Sequence, residues 1–93
     1  MLITTTNTVE GKNIKEYKTI VFGEQVEMKI GLVVLGKYEE LINEGRRKAI
    51  NKMIKQAEDL GANAIIGTKI DVTPIGDSSY LVVTASGTAV VTE

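Results

Sequence analysis

The chain has 93 residues, eleven basic and twelve acidic, for a net charge of −1. That length makes one domain, residues 1–93, and the charge balance offers no broad positive field to attract nucleic acid. With no cysteine and no histidine, the chain has no disulfide, no thiolate nucleophile, no imidazole base and none of the soft ligands that transition metals favour. The first residues carry neither a basic stretch nor a signal-length apolar core, and no run approaches the ~20 apolar residues that span a bilayer. A cytoplasmic protein without a membrane partner is expected.

In chain order, residues 3–6 are a short β-prone segment, and Glu10-Gly11-Lys12-Asn13 reads as a turn. From 14 to 28 the pattern is strand-like, with Ile14, Ile20, Phe22, Val26 and Met28 in one parity class and Tyr17, Thr19 and Val21 in the other. Gly23 within it predicts a bulge or a close backbone approach. The connector 29–37 is apolar, and its pattern fixes no conformation. Gly31 to Lys37 has the spacing of a phosphate-binding loop, but Tyr38 stands where a magnesium-holding Ser or Thr belongs, and the four intervening residues are bulky. It reads as an apolar segment that packs on a neighbour.

Residues 37–60 form the helix. Tyr38, Leu41, Ile42, Gly45, Ala49, Ile50, Met53, Ile54, Ala57 and Leu60 recur at three- and four-residue spacing as one stripe. Glu39, Glu40 and Glu44 sit near the positive end of the helix dipole. Gly45 costs about 1 kcal/mol relative to alanine, so its place on the stripe predicts a close neighbour. The stretch LGANAIIG, residues 60–67, ends this helix and starts a strand: Gly61 supplies the positive φ of a helix stop, and Ile65-Ile66 begin a β-branched run. A strand follows over 63–73, a turn over 74–79, and a last strand over 80–92. That last strand is apolar on both faces, which places it in the middle of a sheet.

The elements give an α+β subunit, β-α-β-β, with one long helix on a small antiparallel sheet of order 1-3-2. One helix covers one face, and the other carries enough apolar side chains to need a partner. For a chain of this size burial and ordering terms nearly cancel. The expected partner is the chain itself.

Acid–base chemistry finds no recognisable pair, so an enzyme is not expected. Arg46, Arg47, Lys48, Lys52 and Lys55 form a solvated helix face, with Glu44–Lys48 and Lys55–Asp59 at i,i+4 spacing. Glu39, Glu44, Asp71 and Asp77 offer hard oxygen ligands, without EF-hand or clustered spacing.

Several stretches together resemble the YbjQ family, small bacterial proteins labelled for heavy-metal binding. They are Thr4-Thr5-Thr6, Val9-Glu10-Gly11-Lys12, Glu16-Tyr17, Val21-Phe22-Gly23-Glu24, Tyr38-Glu39, Arg46 and Ala49, residues 60–67, and Ser86-Gly87-Thr88-Ala89-Val90. The resemblance implies a dodecin-like subunit assembled into a ring, a pentamer, with no established reaction and no cofactor. Many members are longer between the first strand and the helix, with an insert that the compact stretch 25–37 lacks here. Tyr38, Glu39, Arg46 and Asn63 are the candidate contacts to a small ligand or to a neighbouring subunit. Gly23, Gly45, Gly61, Gly67 and Gly87 are the candidate turn and packing positions. The expected function is a non-enzymatic homo-oligomer that holds a small ligand or ion at subunit interfaces. The alternatives are cation binding by carboxylates gathered across subunits, or a scaffold for another protein.

Overall fold

The computed structural model describes residues 1–28, 38–76 and 79–93. The chain runs β1 (Leu2–Ile3), β2 (Ile14–Met28), α1 (Tyr38–Asp59), β3 (Ala64–Ile75) and β4 (Tyr80–Thr92). The connector 29–37, with its phosphate-loop spacing, and Asp77 with Ser78 lie outside the described residues.

The sheet is four-stranded and mixed, in the order β1-β3-β4-β2. This corrects the expected three-stranded antiparallel order 1-3-2. The short segment near the N-terminus adds as a parallel strand, with Leu2 opposite Ala64 and Ile3 opposite Ile65. Among the long strands β4 is central, antiparallel to both β2 and β3. Its central place agrees with the expectation from its apolar pattern.

Alternation along β4 divides the core. Leu81, Val83, Ala85, Gly87 and Ala89 are buried, whereas Val82, Thr84, Ser86 and Thr88 on the other face are only half-buried. The helix stripe docks on the first set: Ala49, Met53 and Ala57 form one cluster with Val21, Ile65, Val83, Ala85 and Ala89. Leu60, the last residue of the expected stripe, is 38% exposed beyond the helix end.

Glycine sets the distance between helix and sheet. A Cβ on Gly23 would run into the Ala49 carbonyl oxygen and come within 2.7 Å of the Met53 backbone nitrogen. The register is unbroken there, so Gly23 marks a close backbone approach rather than a bulge. A Cβ on Gly45 would lie 2.7 Å from Val83 Cγ2, and one on Gly87 would lie 2.6 Å from Ile65 Cγ2.

The helix ends as the sequence demands. Gly61 sits at φ 80°; its N–H donates to the Glu58 carbonyl at 2.9 Å, and the Ala62 N–H donates to the Ala57 carbonyl at 3.1 Å. These are the paired bonds that satisfy the last carbonyls of a helix closed by a left-handed residue. Gly67, at φ 59°, lies in an irregularity of β3 between Ile66 and Lys69. There the Gly67 and Thr68 N–H groups turn to the carbonyls of Thr6 and Thr4, at 2.8 and 3.0 Å, and hold the N-terminal segment.

Two register shifts in β2, between Ile14 and Glu16 and between Tyr17 and Thr19, alter the expected parity. Tyr17 now pairs with Val90 and Ile20 with Thr88, which places Tyr17 on the same side as Ile20, Phe22, Val26 and Met28. Near the chain ends Val9 and Ile14 cover Ala64, Ile66 and Val90. Further along β2 this side is bare: Ile20, Phe22, Val26 and Met28 are each more than half exposed.

The chain is long for its mass. Its principal extent is 48 Å, close to the span of a fifteen-residue strand such as β2 at about 3.3 Å per residue. The radius of gyration is 15.3 Å, against about 12 Å for a compact chain of this length. The accessible surface is 5876 Å², against about 5,300 Å² for a monomer of this mass.

Candidate functional site

Residues spaced three, four and seven apart share one helix face. Glu39, Ile42, Asn43 and Arg46 obey that spacing, and together they line a groove of about 310 Å³ on the N-terminal half of α1. Glu39 and Arg46 put opposite charges in one groove, with an amide and a branched apolar side chain between them. Arg46 is exposed and enters no ion pair with the described residues. Its planar fork of N–H donors suits a carboxylate or phosphate. The groove's described lining residues suit recognition and include no nucleophile set beside a base.

Of the candidate contacts, Glu39 and Arg46 meet in this groove. Tyr38 opens the helix beside them and is half-buried. Asn63 belongs elsewhere, past the far end of the helix. Its Oδ1 accepts from the Thr92 N–H at 2.9 Å and from the Thr92 hydroxyl at 3.3 Å, and its Nδ2 donates to the Thr92 carbonyl at 3.1 Å. Asn63 thereby ties the start of β3 to the end of β4, and it joins no other candidate residue.

The basic helix face divides. Lys48 pairs with Glu44 at 3.0 Å, at the expected i,i+4 spacing, and also with Glu27 of β2 at 3.5 Å. The hydrogen bond that Lys48 donates to Glu44 raises the Lys48 pKa above the usual lysine value; burial, the next largest effect, opposes it, and the charges of Glu27 and Glu44 add to the rise. Lys55 and Asp59 form no ion pair. Lys52 reaches the Glu24 carbonyl and Gln25 Oε1, both at 2.8 Å, and Gln56 Oε1 accepts from the Phe22 N–H at 2.8 Å. Residues 48, 52 and 56 are one i,i+4 row, and that periodicity is the signal by which these contacts to β2 could have been found.

No three carboxylates come together among the described residues. Soft metals favour sulfur and imidazole nitrogen, and the chain has neither. The described residues of a single chain thus do not fit a soft heavy-metal ion.

The family model described as "Putative heavy-metal-binding" matches residues 1–93, the whole chain. The chain belongs to the YbjQ family. Proteins called UPF0145 from Listeria monocytogenes serotype 4a and from Listeria innocua are each 46% identical to it over 107 aligned positions, covering 100% of this chain and 96% of theirs. A UPF0145 protein of Listeria welshimeri matches equally well. An alignment of 107 positions over 93 residues leaves about 14 positions that the YbjQ relatives fill and this chain does not. The crystal structure of a protein of unknown function from Pediococcus pentosaceus, assigned to the DUF74 family, superposes with a TM-score of 0.71 at 24% identity. It covers 100% of this chain and 98% of that one, and it supports the fold alone.

Proposed function

We propose that this chain is a non-enzymatic subunit of a closed homo-oligomeric ring, a pentamer, that binds a small anionic ligand in the α1 groove near a subunit boundary. One observation carries the reading: α1 covers one face of the sheet, while Tyr17, Ile20, Phe22, Val26 and Met28 stay 51–64% exposed on the other. A contiguous apolar strip of that kind is unusual on a monomer, and a second copy supplies the missing cover. The elongated shape points the same way, because surface left over in one copy is surface shared between several. In the groove, Arg46 supplies charge and Asn43 supplies orientation, while the Glu39 carboxylate limits how tightly an anion is held. The candidate oxygen ligands Glu39, Glu44 and Asp71 are all exposed. Several copies could gather them around a hard cation, the one form in which the family's metal label suits this chain.

Native mass spectrometry of gently purified protein tests both parts. The expected spectrum is a single assembly near five times the 10.1 kDa subunit, with retained small-molecule mass that Arg46→Ala removes without changing the copy number. A bare 10.1 kDa species at micromolar concentration would overturn the ring, and retained mass indifferent to Arg46→Ala would overturn the groove.

A further inference from the structure

Among the described residues β2 is the longest strand at an edge of the sheet, and its outer edge is occupied along its middle by side chains. In an antiparallel pair, alternate residues turn their N–H and C=O toward the neighbour or away from it. The Phe22 N–H donates to Gln56 Oε1 at 2.8 Å, so Phe22 turns away from β4, and by alternation so do Glu24 and Val26. Each of these three has one backbone group filled by a side chain. The Glu24 carbonyl accepts from Lys52 Nζ at 2.8 Å, and the Val26 carbonyl accepts from Gln25 Nε2 at 3.4 Å. Lys52 also donates to Gln25 Oε1 at 2.8 Å, which links the caps. One turn earlier on α1, Lys48 lies 3.5 Å from Glu27.

This arrangement follows from where the helix sits. Gly23 lets α1 lie directly over β2, so a row spaced four residues apart projects past the strand and bends down to its edge. An exposed, apolar, fifteen-residue strand is otherwise a template for another strand. We propose that Lys52 and Gln56, joined by Gln25, form an edge guard that closes β2 at Phe22–Val26 to strand addition by a second copy of this chain. Copies then meet by the bare face of the sheet, whose side chains the guard leaves untouched, and not by extending the sheet at the middle of β2. The guard acts within one subunit and goes beyond the ring proposal.

Backbone amide exchange on the full chain tests it. In the unaltered protein the Phe22 amide, which has a side-chain acceptor, should exchange about tenfold or more slowly than the Glu24 and Val26 amides, which share its edge. Gln56→Ala should erase that difference. The double variant Lys52→Ala/Gln56→Ala should form open-ended, thioflavin-binding species at concentrations where the unaltered protein keeps one sedimentation coefficient. Lys52→Arg/Gln56→Glu keeps a donor and an acceptor in place and should restore the single boundary. Equal, strong protection of all three amides in the unaltered protein would mean that the edge is paired with another strand, and would overturn the guard. A double variant that stays folded by circular dichroism and sediments like the unaltered protein would also overturn it. Should the double variant fail to fold, the comparison of amides in the unaltered protein still decides.

Discussion

Replacing Gly23 with alanine adds one methyl group at the point where the sheet touches the helix backbone. Where the obstacle is another side chain, overpacking costs about 1–3 kcal/mol because that side chain can turn aside. At Gly23 the obstacles are the Ala49 carbonyl oxygen and the Met53 nitrogen, which are fixed in the hydrogen-bond ladder of α1. Relief requires the helix to lift from β2, which strips Ala49, Met53 and Ala57 from Val21, Val83 and Ala85. The cost should therefore reach about 3 kcal/mol or more, a large share of the ~5–15 kcal/mol that holds a domain folded. At ~4–8 °C per kcal/mol the midpoint should fall by roughly 12 °C or more. Gly45→Ala is the control. It gains about 1 kcal/mol of helix propensity and loses a similar amount against the Val83 methyl at 2.7 Å, so it should stay within ~1 kcal/mol of the unaltered protein. Urea melts of the three proteins at one concentration compare them. If Gly23→Ala melts with Gly45→Ala, glycine does not set the helix–sheet spacing.

Three further outcomes follow from the same contacts. Asn63→Ala removes three hydrogen bonds to Thr92 and should cost about 1–3 kcal/mol; Asn63→Asp keeps the acceptor and should cost less, as read by denaturant midpoint. The Lys48 pKa is raised in the folded state, so the stability it adds is complete below the ordinary lysine value and is lost as pH rises through the raised one. The difference in melting temperature between the unaltered protein and Lys48→Met should hold steady through neutral pH and shrink only above 10.5; added salt should also reduce it, because the pair is partly exposed. In the groove, Glu39→Gln should leave the fold intact and tighten retention of an anionic ligand beside Arg46, measured by titration calorimetry with inorganic phosphate.

Much of the fold was legible because each element repeated one message. The stripe from Leu41 to Ala57, the stop at Gly61 and the two-sided apolar β4 all rest on periodicity or on a conformation that few residues adopt. The parallel strand at Leu2–Ile3 was less legible, since two residues carry no period and their partners, Ala64 and Ile65, lie far along the chain. The sidedness of Tyr17 was hidden for a related reason: an extra residue in β2 reverses parity without marking the sequence. At the site, helical spacing brings Glu39 and Arg46 together. Asn63 pointed to a contact, but its partner, Thr92, lies 29 positions away, a distance no local pattern spans. Lys52 read as solvated surface, and Gln56 drew no reading, because nothing in their own neighbourhood says that a strand edge lies within reach.

The bare face of the sheet carries the whole account, and sedimentation velocity at low micromolar concentration tests it most directly. The account predicts one discrete boundary of several subunits, and release of a folded 10.1 kDa particle when Val26→Glu and Met28→Lys place charges on that face. A sample that sediments at 10.1 kDa from the start, yet melts in one cooperative step far above room temperature, would contradict it.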